Sequence, residues 1–157
     1  MRLPLTRALI VLAITTTSAL GTDNSIGTWK LNIDKSKYDP PPFPFKSLTM
    51  TREAADGGVK VGTTGQLADA SPITIRYAAK YDGKEYRVSG INTPCDTISV
   101  VQVNASRFTA ECKRTGGSYH ATDRTVISRD GKMMTLTTKG TDSDGKDFTS
   151  TFVFDKQ

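Results

Sequence analysis

The sequence is poor in the residue types that usually carry chemistry. It has one His, two Cys and one Trp among 157 residues. A single imidazole and two thiols make no Cys/His set for a structural zinc. No nucleophile stands beside a visible base, and no carboxylate pair has a spacing that points to His120. There is no Gly-X-Y period and no heptad. Beyond the first residues no apolar run approaches the roughly 20 residues that a bilayer span needs. An excess of one charge is also missing: 21 Lys+Arg stand against 16 Asp+Glu. The basic residues are scattered singly, as at Lys30, Lys35, Lys37, Lys46, Arg52 and Lys60, without the clustering and interleaved aromatics of a nucleic-acid groove. Nucleic acid is therefore excluded as a partner, and no catalysis or cofactor is expected. What remains is modest core material, 36% apolar residues, in a chain of one-domain length.

The first 21 residues read as an address. Arg2 and Arg7 give a basic start, Ala8 to Ile14 is an uncharged apolar run, and Thr15 to Ala19 is small and polar. That order describes a secretory signal peptide. Cleavage after Ala19 or Gly21 leaves a domain over 22–157, secreted or periplasmic, with no membrane span. Removing Arg2 and Arg7 leaves 19 basic against 16 acidic residues, a net +3 that fits a solvated surface on a soluble monomer.

The rest of the chain is a row of strand-like segments. Thr, which favours strands, occurs 23 times. Asp-Gly recurs at Asp56-Gly57, Asp82-Gly83, Asp130-Gly131 and Asp144-Gly145, a pair suited to the positive φ angles of hairpin turns. Between the turns, apolar residues alternate: Leu48 and Met50, Val59 and Val61, Ile73, Ile75 and Tyr77, Phe148, Phe152 and Phe154. A period of two marks a half-buried strand. One helical turn is expected at Asp34–Tyr38, capped by Asp34. Pro40-Pro41-Pro42 is expected to run as extended polyproline II across a barrel end. About ten strands with short links predict an all-β, antiparallel up-and-down barrel of 8–10 strands, whose closure removes exposed edges.

Gly27-Thr28-Trp29-Lys30-Leu31 opens the first strand and resembles the Gly-X-Trp signature of the calycin superfamily. It is most similar to the opening of fatty-acid-binding proteins, and Phe152-Val153-Phe154-Asp155-Lys156 resembles their last strand. With Lys35-Ser36-Lys37-Tyr38, the chain also resembles small secreted bacterial lipocalin-like proteins. The resemblance implies a lipocalin-like barrel in which Trp29 packs across one end against a basic side chain of the last strand. It also exposes departures. Phe152 and Phe154 stand where that family places an Arg-X-Tyr carboxylate clamp, and thirteen Pro-rich residues, 34–46, replace a two-helix lid.

Candidate binding residues follow from chemistry. Arg76 or Arg124, if turned inward, could clamp an acidic ligand. Tyr77 and Tyr86 could line a cavity. Trp29 is read as structural: a large ring buried with its N–H on a carbonyl. Cys95 and Cys112 flank a hairpin around Asn104-Ala105-Ser106. A two-residue turn brings them to one face, where an exported protein would form a disulfide, whereas a three-residue loop shifts the register and points the thiols apart. Asn104-Ala105-Ser106 also matches a glycosylation acceptor and is read as a turn. His120 is read as an exposed strand residue. The expected function is non-catalytic binding of a small hydrophobic ligand inside the barrel. The alternative is a solid barrel serving as an envelope or extracellular module that binds protein or glycan.

Overall fold

The computed structural model describes residues 22–157; the expected leader lies outside them. Ten strands follow in order: β1 (Gly27–Asp39), β2 (Phe45–Ala55), β3 (Gly58–Leu67), β4 (Pro72–Lys80), β5 (Asp82–Arg87), β6 (Thr97–Asn104), β7 (Arg107–Lys113), β8 (His120–Ile127), β9 (Met133–Thr141) and β10 (Asp147–Lys156). All ladders are antiparallel, and β1 pairs with β10, so one sheet runs β4-β3-β2-β1-β10-β9-β8-β7-β6-β5. This is the expected up-and-down barrel, and no helix occurs among the described residues.

The two edges of the sheet meet along a short seam. Arg76 and Ser89 exchange both backbone hydrogen bonds (2.8 and 2.9 Å), as do Thr74 and Ile91 (3.0 and 3.1 Å). Between them Gly90 sits at φ +144°, where a Cβ would lie 1.9 Å from the Thr74 carbonyl oxygen. Only glycine permits that approach. The ladder is confined to this stretch, so the barrel is nearly rather than fully closed.

Local chemistry departs from expectation in three places. Asp56-Gly57, Asp130-Gly131 and Asp144-Gly145 lie at turns, but Asp82-Gly83 lies inside β5 where its register against β6 shifts; at all four only glycine takes positive φ, +66° at Gly57, +72° at Gly83, +71° at Gly131 and +79° at Gly145. Two of the aspartates instead accept a backbone N–H two residues on, Lys84 to Asp82 and Lys132 to Asp130, both at 3.0 Å. Asp34–Tyr38 is not a helical turn: β1 continues through it with a bulge between Asn32 and Lys37. There the Ser36 hydroxyl donates to the Asn32 carbonyl (2.6 Å) and accepts from the Val153 N–H (2.9 Å), tying the bulge to both strands. The prolines after β1 do not form one polyproline II run, since the Asp39–Pro40 and Pro41–Pro42 bonds are cis.

Alternation fixes what faces inward. Trp29, Leu31, Leu48, Ile73, Phe108, Ile127, Met134 and Phe154 form one buried cluster; Ala79, Val88, Cys95, Ile98 and Val100 form a second beneath the seam. At roughly 25 cal/mol per Å² of apolar area removed from water, such burial is the main force closing the sheet.

Candidate functional site

The barrel has a sealed end and an end reached by its cavity. The seal is the segment before β1. From Gly27 the chain crosses toward the turn between β6 and β7, where the Asn24 N–H bonds the Ala105 carbonyl (2.9 Å) and its side-chain amide donates to the Ser106 hydroxyl (2.8 Å). Under this strap Trp29 is fully buried and donates its indole N–H to the Ser25 carbonyl (2.8 Å). The Lys156 ammonium, on the last strand, lies 5.2 Å from the centre of the indole, within cation–π range. Trp29 thus lies buried at this end between the strap and the last strand.

Arg52 is buried beside this plug, only 6% exposed. Its Nε donates to the Ser25 hydroxyl (2.9 Å), and its guanidinium carbon lies 5.6 Å from the centre of the Phe108 ring. The Ser25 hydroxyl donates in turn to Asp23 (2.5 Å), whose other carboxylate oxygen accepts from the Tyr81 hydroxyl. Burial, and then the bond to Asp23, hold the Tyr81 hydroxyl protonated far above the ordinary tyrosine range. A buried cation is costly unless it is hydrogen-bonded and offset by charge. Here Ser25 carries the effect of the Asp23 carboxylate to Arg52.

Above this floor lies a cavity of about 330 Å³, within the range of small-molecule sites. Its lining is mostly apolar: Leu48, Val61, Ile75, Ile98, Phe108, Met134, Leu136, Phe152 and Phe154 all contribute. It extends to Pro44, Asn92, Pro94 and Asp142 in the loops opposite the plug. Aromatic rings crowd that mouth. Phe148 stacks between Tyr38 and Tyr119, with centroids 5.7 and 6.0 Å away, and Phe43 and Phe45 pack edge-on against Phe152.

Three polar side chains cross the cavity wall side by side. The register places Asp123 opposite Thr138, and Thr138 opposite Ser150, on β8, β9 and β10. The Thr138 hydroxyl donates to Asp123 Oδ1 (2.5 Å). Ser150 Oγ is the one buried side-chain polar atom among the described residues without a hydrogen-bond partner. Asp123 lines the cavity, and burial pushes its carboxyl up to about 6 against the lowering effect of Thr138. Tyr77 and Tyr119, also on the lining, are held above the ordinary tyrosine range, chiefly by burial.

The binding candidates read from sequence divide. Tyr77 lines the cavity. Arg76 and Arg124 do not: both are exposed, because their strands turn Ile75, Tyr77, Asp123 and Thr125 inward and the intervening arginines outward. Tyr86 is half-buried at a more open, polar depression of about 680 Å³ beside β5, and its hydroxyl donates to Asp82 (2.8 Å). The inward guanidinium is Arg52, two residues beyond Met50 on the same face. Asp123 shares the face of Ala121 and Ile127. Strict extension of the alternation finds both.

Cys95 and Cys112 are bonded, with Cα atoms 5.7 Å apart. The turn between β6 and β7 contains a bulge at Val103, so Cys112 faces Ile98 and Thr97 faces Lys113. That is the shifted register expected to separate the thiols. The bond forms because Cys95 belongs to the loop before β6 and is not bound by the ladder. His120 is exposed and lies 3.8 Å from the Glu111 carboxylate. Among the described residues no three His, Cys, Asp or Glu side chains gather as a metal-binding group, and no helix is long and apolar enough to cross a membrane.

Fold and interior together define an up-and-down β-barrel with an internal cavity plugged at one end. No family model and no curated protein matches the chain.

Proposed function

We propose that this is an exported, non-catalytic, lipocalin-like barrel that binds a small apolar molecule in its interior. The observation that carries this is the 330 Å³ apolar cavity above the Trp29 plug. A barrel serving only as a scaffold gains by filling its interior, since each cavity costs dispersion contacts. The Cys95–Cys112 bond supports an oxidising compartment and hence export. Binding is driven by transfer of the ligand from water into this lining, and orientation comes from the few polar groups on the wall.

The test is displacement of an environment-sensitive apolar dye from the purified protein. Saturable binding that disappears when Leu136→Trp fills the cavity supports the carrier. Undiminished binding in that variant places the dye on the outer surface and contradicts it. The interaction-module alternative has one observation in its favour: Val101, Val103 and Val126 are exposed on the outside of the barrel. Persistent dye binding lost on Val103→Lys would support that reading.

A further inference from the structure

Resting on the reading of the interior as a ligand site, we propose that Asp123 and Ser150, braced by Thr138, form a subsite for a protonated primary amine on a small apolar body. The two residues sit on either side of Thr138 on adjacent strands and both line the cavity. Thr138 is 5% exposed and is spent on Asp123 Oδ1. The second Asp123 oxygen accepts no hydrogen bond, and no salt bridge reaches this carboxylate among the described residues. Ser150, 4% exposed, has no partner at all.

Buried polar groups are nearly always paired, so an orphaned hydroxyl beside an uncompensated carboxylate marks what a ligand must supply. An ammonium brings three donors and one positive charge. It offsets the Asp123 carboxylate and keeps donors to spare for the row of oxygens that ends at Ser150. An alcohol bonds the pair but leaves the charge, and a carboxylate adds a second negative charge. The mouth suits a cation: Asp142 lies on the lining and the Tyr38, Phe148 and Tyr119 rings offer π faces. Arg52, the opposing charge on the lining, is engaged at the floor by Ser25, with Asp23 behind it. At about 30 Å³ for each water-sized group, the cavity holds on the order of ten non-hydrogen atoms, which sets the ligand size.

The test is calorimetric titration of the purified protein with octylamine, 1-octanol and octanoate, at pH 7.5 and 5. Octylamine should bind at least tenfold more tightly than 1-octanol at pH 7.5. That preference should vanish in Asp123→Asn and shrink several-fold in Ser150→Ala. In the wild type it should fall at pH 5, because burial raises the Asp123 carboxyl to about 6. The other ionisable groups on the lining are Arg52, Asp142 and the tyrosines 38, 77 and 119; burial raises the three tyrosines, which stay neutral over that interval. The wild-type pH series keeps the test independent of whether a variant folds. Equal binding of 1-octanol and octylamine overturns the amine assignment while leaving the carrier intact. Tightest binding by octanoate, lost in Arg52→Gln, overturns it in favour of an anion at the floor. No binding by any of the three ligands, together with no saturable dye binding, removes both the carrier and the amine subsite.

Discussion

The floor and the wall of this barrel each bury a charged side chain, and they treat it differently. At the floor, Arg52 Nε donates to Ser25, Ser25 to Asp23, and Asp23 also accepts from Tyr81, so a carboxylate stands behind the buried cation. On the wall, Asp123 has one hydroxyl donor and no cation, and its neighbour Ser150 has none. A polar network that offsets its own charge stabilises a fold and fixes its geometry, whereas a charge left without an offset destabilises it. The floor is therefore structure. The wall is where the fold accepts a cost, as binding sites commonly do.

The contrast is broken most forcefully at the plug. Trp29→Ala removes a fully buried indole and should cost about 3–5 kcal/mol, read as a lower midpoint in urea unfolding with the Cys95–Cys112 bond intact. A loss under 1 kcal/mol would mean the strap does not depend on the indole. Removing the two buried charges should then act in opposite directions. Arg52→Gln removes the donor to the Ser25 hydroxyl and the cation that offsets Asp23, and should destabilise by about 1–3 kcal/mol.

Asp123→Asn should stabilise the ligand-free protein by about 3 kcal/mol at pH 7.5. The sign follows from linkage. The folded-state carboxyl, at about 6, lies above its unfolded value near 3.9. The folded protein therefore binds more protons between those values, and wild-type stability falls as pH rises through that window. Below about pH 4 both forms are protonated, so the advantage of Asp123→Asn should disappear there. The same sign of change in Arg52→Gln and Asp123→Asn would erase the distinction between floor and wall. The smallest effects belong to the two serines. Ser25→Ala should cost about 1–2 kcal/mol, while Ser150→Ala should be neutral or stabilising by up to about 1 kcal/mol.

Much of the fold was legible because the determinants are local. Period-two alternation marked strands such as β2, β3, β4 and β10 within a row of about ten, and the resemblance of the Gly27-Thr28-Trp29 opening implied a ring packed on a basic side chain of the last strand, where Lys156 lies. The failures have causes outside a local window. The Asp34–Tyr38 bulge depends on Ser36 bridging strands more than a hundred residues apart, a contact invisible in a window of sequence. The disulfide was anticipated, but the rule used for it assumed that Cys95 sits in the ladder.

The polar groups of the site were harder to see. Arg76 and Arg124 drew attention as mid-strand cations, yet a single step in parity turns them outward. Arg52 lay on the face already identified by Leu48 and Met50, and Asp123 on the face opposite Arg124 that was not followed. Charged residues at such positions looked like ends of the apolar pattern rather than its continuation. That Ser150 is an orphan could not be read at all, because it depends on the absence of a partner in three dimensions.

The most direct measurement is a carbon-13 NMR titration of the Asp123 carboxyl in the ligand-free protein. An uncompensated wall predicts a midpoint near 6. A midpoint at or below about 4, the ordinary aspartate value, would show that the carboxylate already has the partner this account says it lacks.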